Sequence, residues 1–215
     1  MELLCPFAAV LRGKAIAVSA LGNAAWGTST TASELEAKVV TLSGPDGYIY
    51  DPCGVATKEK IGYLLAMRHS GRDKVQDYAD KFGVKFFPKE KPWGQKVDIC
   101  MPAATQNEIN MDEAKKIAAN GAYYIEVANM PTTNEALAFL MKEKSIKVVA
   151  PSKAVNAGGV ATSALEMSQN SARIAWSEEE VDAKLKVIMK NIHDMSAKAA
   201  EEYGLGYNLV AGGNI

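Results

Sequence analysis

Apolar residues in this chain come in short unbroken runs separated by longer stretches of helical spacing. Ala15-Ile16-Ala17-Val18-Ser19-Ala20 follows Lys14 without polar alternation, the pattern of a parallel strand covered on both faces. A turn at Leu21-Gly22-Asn23 leads into an Ala- and Thr-rich helix ending near Leu35, after which Val39-Val40-Thr41-Leu42 predicts a second strand. The turn formers Ser43-Gly44-Pro45-Asp46-Gly47 precede a short extended piece, Tyr48-Ile49-Tyr50, closed by Asp51-Pro52. Helical spacing covers Thr57 to Arg68 and Lys74 to Phe82. Val97-Asp98-Ile99-Cys100-Met101, Ala122 to Val127 and Lys147-Val148-Val149-Ala150 then read as three further strands, each followed by a helical stretch.

Three helix starts place a capping oxygen three residues ahead of a glutamate: Asn110 with Glu113, Thr132 with Glu135, and Ser177 with Glu180. After Ser177, Val181, Leu185, Ile188, Ile192 and Met195 fall at spacings of four, three, four and three, one apolar face of a long helix for core or subunit contact. Strands alternating with helices predict an α/β fold, a Rossmann-like doubly wound, mostly parallel sheet with helices on both faces, because parallel strands need crossover connections.

The 215 residues, 48% hydrophobic, suffice for one globular domain. Lys and Arg total 24 against 25 Asp and Glu, a net charge of -1 that gives no basic field for nucleic acid or an anionic membrane. No apolar run reaches the roughly 18 residues of a membrane span, so a cytoplasmic location is expected. Cys5, Cys53 and Cys100 form no CxxC pair and read as reduced, mostly buried thiols. His69 and His193 have no ligand-spaced partners, so no metal site is expected. The mixed charges of Lys85 to Lys96, with Trp93, read as a solvated face.

Candidate chemistry lies just after the strands, where open α/β sheets bind ligands. Ala20-Leu21-Gly22-Asn23-Ala24-Ala25 follows the dinucleotide fingerprint G-x-G-x-x-A except at its first position. Gly22 admits a pyrophosphate close to the backbone, Ala25 permits close helix–strand packing, and the following helix offers unpaired N–H groups. Asp46, beyond the second strand, suits a ribose 2′-hydroxyl and repels a 2′-phosphate, which leans towards NAD. The later strands end in polar small-residue loops carrying Gln106, Asn129 and Asn156, whose amides both donate and accept.

Read together, Gly22 to Gly27, Ser43 to Asp51, Ala103 to Asn107, Ala128 to Thr133, Asn156 to Val160 and Glu166 to Asn170 resemble, in order, segments of the nucleotide-binding domain of hexameric bacterial glutamate dehydrogenases, members of the Glu/Leu/Phe/Val dehydrogenase family. The resemblance covers residues 11–215, with 1–10 a non-matching N-terminal segment. It implies a Rossmann domain for NAD, with NADP also admissible, closing over a separate substrate domain that oxidises glutamate to 2-oxoglutarate and ammonia, in a homo-oligomer. The cofactor-binding residues it implies are Ala20, Gly22, Asn23, Ala24, Ser43, Asp46, Ala104, Thr105, Gln106, Asn129 and Asn156. Gly22 and Asn23 would meet phosphates and ribose, Asp46 the adenosine ribose, and Ala104, Thr105, Asn129 and Asn156 the nicotinamide side. Val160 and Ser163 would line the substrate side-chain pocket, the Ser163 hydroxyl donating to the γ-carboxylate. The family's catalytic lysines and aspartate lie in the substrate domain, for which the residues before Leu11 leave no room. No catalytic residue is therefore assigned to this chain, which is expected to bind dinucleotide without turning over alone. A regulatory subunit paired with another chain, or a relic that binds nothing, are the alternatives. Two residues depart from the family pattern: Ala20 replaces the first fingerprint glycine, and Glu36 stands at a turn usually held by a small residue. A side chain at position 20 crowds the turn if that turn needs positive φ.

Overall fold

The computed structural model describes residues 11–215. The segment 1–10, with Cys5 and the expectation of a non-matching start, lies outside the described residues. The chain runs β1 (Ala15–Val18), α1 (Asn23–Glu34), β2 (Lys38–Gly44), β3 (Gly47–Tyr50), α2 (Lys58–His69), α3 (Gln76–Phe82) and β4 (Lys85–Pro88). It continues through β5 (Ile99–Met101), α4 (Met111–Asn120), β6 (Tyr123–Ile125), α5 (Asn134–Leu140), β7 (Val148–Ala150), α6 (Ser152–Val155), α7 (Ala157–Ala172), α8 (Glu178–Glu202) and α9 (Leu209–Gly212).

The strands form one sheet in the order β4-β3-β2-β1-β5-β6-β7. Pairings are parallel from β2 through β7 and antiparallel at β2–β3 and β3–β4. The two faces of β1 open onto two separate cores. Ile16 and Val18 belong to one, with Ala25 and Ala32 of α1, Leu64 and Met67 of α2 and Tyr78 of α3. Ala17 belongs to the other, with Ala114 and Ile117 of α4 and Ala136 and Leu140 of α5. Helices thus cover both faces, as the unbroken apolar run of β1 requires. Each fully buried aliphatic side chain here contributes about 1.5–3 kcal/mol.

The segment expected as a solvated face is built into the sheet. Lys85–Pro88 forms the antiparallel edge strand, and the Phe87 ring stacks on Tyr48 at 4.6 Å between centroids. A lysine-flanked edge ending in proline protects an open strand from pairing with another chain, so the charges masked a strand. Trp93, in a 3-10 turn at Pro92–Gly94, is fully buried in the core beneath α4. Cys100 is buried, and desolvation pushes its thiol up to about 12. Cys53, also expected inside, is exposed in the turn after β3.

The helix caps divide. The Asn110 side chain accepts from the amides of Asp112 and Glu113, and Ser177 with Glu180 forms a reciprocal capping box. Thr132 does not cap: the N-cap of α5 is Thr133, one residue later, and the Thr132 hydroxyl donates to the buried carboxylate of Glu126 at 2.5 Å, a charge-assisted bond. In α8 the expected stripe is half-buried from Val181 to Ile192, but Met195 is 72% exposed and His193, Ser196 and Ala200 are buried instead. A four-three spacing averages 3.5 residues per turn and drifts off a straight helix face.

Burial of Trp93 has a measurable consequence. Trp93→Ala is expected to destabilise the fold by about 3–5 kcal/mol in urea unfolding, whereas a residue on a solvated face would change stability by less than about 0.5 kcal/mol.

Candidate functional site

The sheet order reverses direction between β1 and β5, where the chain leaves β1 for β2 on one side and β5 continues to β6 on the other. At the carboxyl ends of these strands lies a cleft of about 660 Å³. Its walls are Ala20, Leu21 and Gly22 after β1, Ser43, Gly44 and Pro45 at the end of β2, and Ala104, Thr105 and Glu108 after β5. Arg68, Gly71, Arg72 and Asp73 at the end of α2, with Glu90 and Lys91 after β4, complete the rim.

Small residues bring α1 against the sheet. Ala25, Ser29 and Ala32 are its buried positions, spaced four and three, so the start of the helix sits at the cleft. Gly22 is its N-cap, no side chain caps it, and its first turn carries no acidic residue. The start of α1 therefore presents amide N–H groups and partial positive charge to an anion. A β-carbon at Gly22 would stand 3.4 Å from the Arg68 guanidinium, which places that cation over the turn. At Gly44 a β-carbon would lie 2.6 Å from the Asp73 carbonyl, so only glycine lets this wall close.

Ala20 has φ +77, in the left-handed region where its methyl is strained. Hydrogen bonds hold it there: its amide donates to Ser43 Oγ at 2.8 Å, and the Ser43 amide donates to the Ala20 carbonyl at 3.3 Å. Glu36 is likewise left-handed at φ +60, just after α1, and its carboxylate pairs with Arg12.

Two buried carboxylates organise the later loops. Glu108 Oε2 accepts from Ser19 Oγ at 2.9 Å and from the Ala104 amide at 3.3 Å, while Ser19 Oγ accepts from the Ala103 amide at 2.9 Å. Glu126 accepts from Thr132 Oγ1 at 2.5 Å and from the Ser152 amide at 2.9 Å, joining the loops after β6 and β7. Desolvation raises both carboxyl pKa values above the usual range. The Ser19 hydroxyl, the Ala104 amide and the Lys91 charge oppose the rise at Glu108, and Thr132 and Ser152 oppose it at Glu126.

Of the sequence candidates, the cleft gathers Ala20, Gly22, Ser43, Ala104 and Thr105. Asn23 lines a narrow apolar recess between α1 and α2, and Ala24 and Gln106 are exposed beside the cleft rather than in its wall. Asp46 follows the cleft-lining Pro45, but both of its carboxylate oxygens accept backbone amides at the start of α3, from Val75 at 3.1 Å and Gln76 at 3.0 Å. Asn129 is exposed after β6, and Asn156 Nδ2 donates to the Val127 carbonyl at 2.9 Å, tying two strand-end loops together. Val160 and Ser163 are exposed on α7, outside the cleft wall. Arg68, Arg72, Lys91 and Glu108 line the cleft without having been marked by sequence. Glu108 follows directly on the Ala103–Asn107 segment, which was its one available signal.

Residues 4–215 match the family described as Glutamate/Leucine/Phenylalanine/Valine dehydrogenase. The chain is 68% identical over 206 residues to the NAD-specific glutamate dehydrogenase of Clostridium symbiosum, covering 95% of this chain and 46% of that protein. It is 44% identical over 205 residues to the NADP-specific glutamate dehydrogenase of Haemophilus influenzae, covering 94% of this chain and 45% of that one. A solved structure of a glutamate dehydrogenase superposes with a TM-score of 0.96 at 65% identity, over 99% of this chain and 47% of its own. The chain thus spans about half the length of the relatives it matches. Among the described residues, no helix is long and apolar enough to cross a membrane.

Two outcomes follow from the site geometry. Ala20→Gly removes a methyl from a left-handed position and is expected to raise stability by about 0.5–1 kcal/mol, read as a shift of the urea midpoint at constant slope. Glu126 titrates higher folded than unfolded, so its stabilising contribution is complete below the unfolded value near 4.5 and is lost as pH rises through the raised folded value. Glu126→Gln should therefore gain stability relative to the parent as pH rises through that window, and a difference that stays constant with pH would refute the assignment.

Proposed function

The chain belongs to the glutamate/leucine/phenylalanine/valine dehydrogenase family, and on that premise we propose that it is the dinucleotide-binding half of a glutamate dehydrogenase, taking NAD in preference to NADP. The observation that carries this reading is the convergence of the ends of β1, β2 and β5, with the uncapped start of α1, on one cleft where the strand order reverses. Ligands of open α/β sheets bind at that point.

The cofactor's diphosphate would lie at the Gly22 turn, where the amides of α1 and the Arg68 guanidinium supply positive charge. The adenosine would lie along Ser43-Gly44-Pro45. Asp46, braced by the start of α3, would keep a negative charge near the ribose that disfavours a 2′-phosphate. The nicotinamide half would run along Ala104 and Thr105 towards the loops of Asn129 and Asn156, with Gln106, Asn23 and Ala24 at the margins. When bound, nicotinamide supplies the hydride acceptor. The residues after β1 and β5 that line the cleft would hold it there.

In the whole protein a second domain would present glutamate. Val160 and Ser163 on α7 would face its side chain, the Ser163 hydroxyl donating to the γ-carboxylate, and the products would be 2-oxoglutarate and ammonia. Assembly as a homo-oligomer in the cytoplasm belongs to the same reading.

Calorimetric titration of the 215-residue chain tests it. Saturable heat with NAD and much weaker heat with NADP is expected. Added glutamate and NAD should give no NADH with this chain alone. No heat with either dinucleotide, in protein that melts cooperatively, would overturn the proposal.

A further inference from the structure

Glu108 differs from every other charged residue in the cleft wall. It is 7% exposed, while Arg68, Arg72, Asp73, Glu90 and Lys91 are all exposed. Burying a carboxyl group is unfavourable unless several donors converge on it, and they do. Ser19 from the end of β1 and Ala104 from the loop after β5 both donate to Oε2, and Ser19 in turn accepts the Ala103 amide. Lys91 donates to the Glu108 carbonyl at 2.5 Å. The neighbouring backbone is fixed from the other side as well. The Asn107 amide donates to the Met130 carbonyl and the Ile109 amide to the Pro131 carbonyl, at 3.0 and 2.8 Å.

We propose that Glu108 is a positioning residue for the dinucleotide: it fastens the Ala103–Thr105 loop to the end of β1 and so sets the separation of the walls between which the cofactor lies. This rests on the cofactor reading above. The walls it joins are those against which the diphosphate and the nicotinamide-side ribose would pack. A loop free to move would have to be ordered at each binding event, which lowers affinity.

The same placement couples binding to a proton. Burial already disfavours the charged form of Glu108. The charged and titratable groups that act on it are Lys91 from the segment after β4 and Tyr124 on β6, while Arg68, Arg72, Asp73 and Glu90 line the same cleft. Bringing a diphosphate into this cleft adds negative charge and disfavours the carboxylate further. Binding then takes up a proton at Glu108, and affinity rises as pH falls through its raised value.

The test is titration of NAD into the parent chain, Glu108→Gln and Glu108→Ala between about pH 5 and about pH 8, with hydrogen exchange of the Ala103 and Ala104 amides in ligand-free protein. Glu108→Ala should weaken NAD roughly tenfold or more and unprotect the Ala104 amide, which loses its acceptor, whereas the Ala103 amide keeps Ser19 Oγ. Glu108→Gln keeps an acceptor oxygen, so it should weaken binding far less than alanine and retain amide protection. It should also flatten the pH dependence of affinity, which a purely structural role would leave unchanged. If the melting curve shows Glu108→Ala to be unfolded, Ser19→Ala breaks the same link with a smaller change.

Alanine variants that bind as tightly as the parent, or a glutamine variant with the parental pH dependence, would overturn the proposal. A folded parent chain that does not bind NAD overturns the cofactor reading instead. The fastening itself is then decided by the exchange of Ala104, and unchanged protection of that amide in the Glu108→Ala variant refutes it.

Discussion

The loops beyond a parallel sheet have no ladder to hold them, and here buried carboxylates do that work. A carboxylate removed from water must collect donors, and at the ends of β5 and β6 the donors available are the hydroxyls and amides of neighbouring loops. Glu108 draws Ser19 and Ala104 together, and Glu126 draws Thr132 and Ser152 together. Tyr124 adds its hydroxyl to the second network through Thr132, at 2.5 Å. Four strand ends are thereby tied in pairs, β1 to β5 and β6 to β7. The bridge between Ile109 and Thr132 links the two pairs. The cleft is the space left over when the loops are pinned in this way.

Against that rigid half, the β1–α1 turn is a compromise. Its close packing comes from the small residues Ala25, Ser29 and Ala32, which let the helix approach the sheet. Its first fingerprint position, however, is an alanine at φ +77. Ser43 compensates by bonding Ala20 in both directions, through its hydroxyl and its amide. Each such bond contributes about 1 kcal/mol, comparable to the strain of a left-handed alanine. The turn holds its shape although its sequence departs from the glycine that the shape favours.

The fold was legible because its signals are local and repeated. The unbroken run of β1 reads as a doubly covered strand, and Asn110 and Ser177 cap the helices that they precede in sequence. The cleft was legible only where a backbone requirement shows in sequence, as at Gly22, or where a resemblance marks a segment, as at Ala104 and Thr105. Glu108 and Glu126 were not legible, since nothing in a single glutamate says that it will turn inward. That depends on donors 89 residues away in one case and 26 in the other. Thr132 was misread for the same reason. A capping pattern assumes that the hydroxyl sits at the helix start, whereas Thr132 is turned inward to Glu126 and Tyr124 and the helix starts one residue later. Lys85–Pro88 was hidden because edge strands carry charge to avoid being extended, which erases the apolar pattern used to find strands. Asp46 was read as a ribose partner from its distance along the chain, and the two amides of the α3 start that its carboxylate accepts were not visible in that reading.

The rim of the cleft depends on a third internal acid. Asp51, at the end of β3 and 1% exposed, accepts from Lys60 Nζ at 2.5 Å and from the Tyr78 hydroxyl at 3.0 Å. Lys60 lies in the first turn of α2 and also donates to the Gly54 carbonyl at 2.8 Å. Removing one partner of a buried pair is far more disruptive than replacing both, so this contact acts as a constraint on where α2 can start. The helix then runs 12 residues to His69, and its last turn carries Arg68 over Gly22. The position of a cation at the cleft is therefore decided at the opposite end of its helix, by a carboxylate that never meets the ligand. The sheet supplies the walls and α2 the rim charge, and in each a buried acid converts a flexible connection into a fixed one.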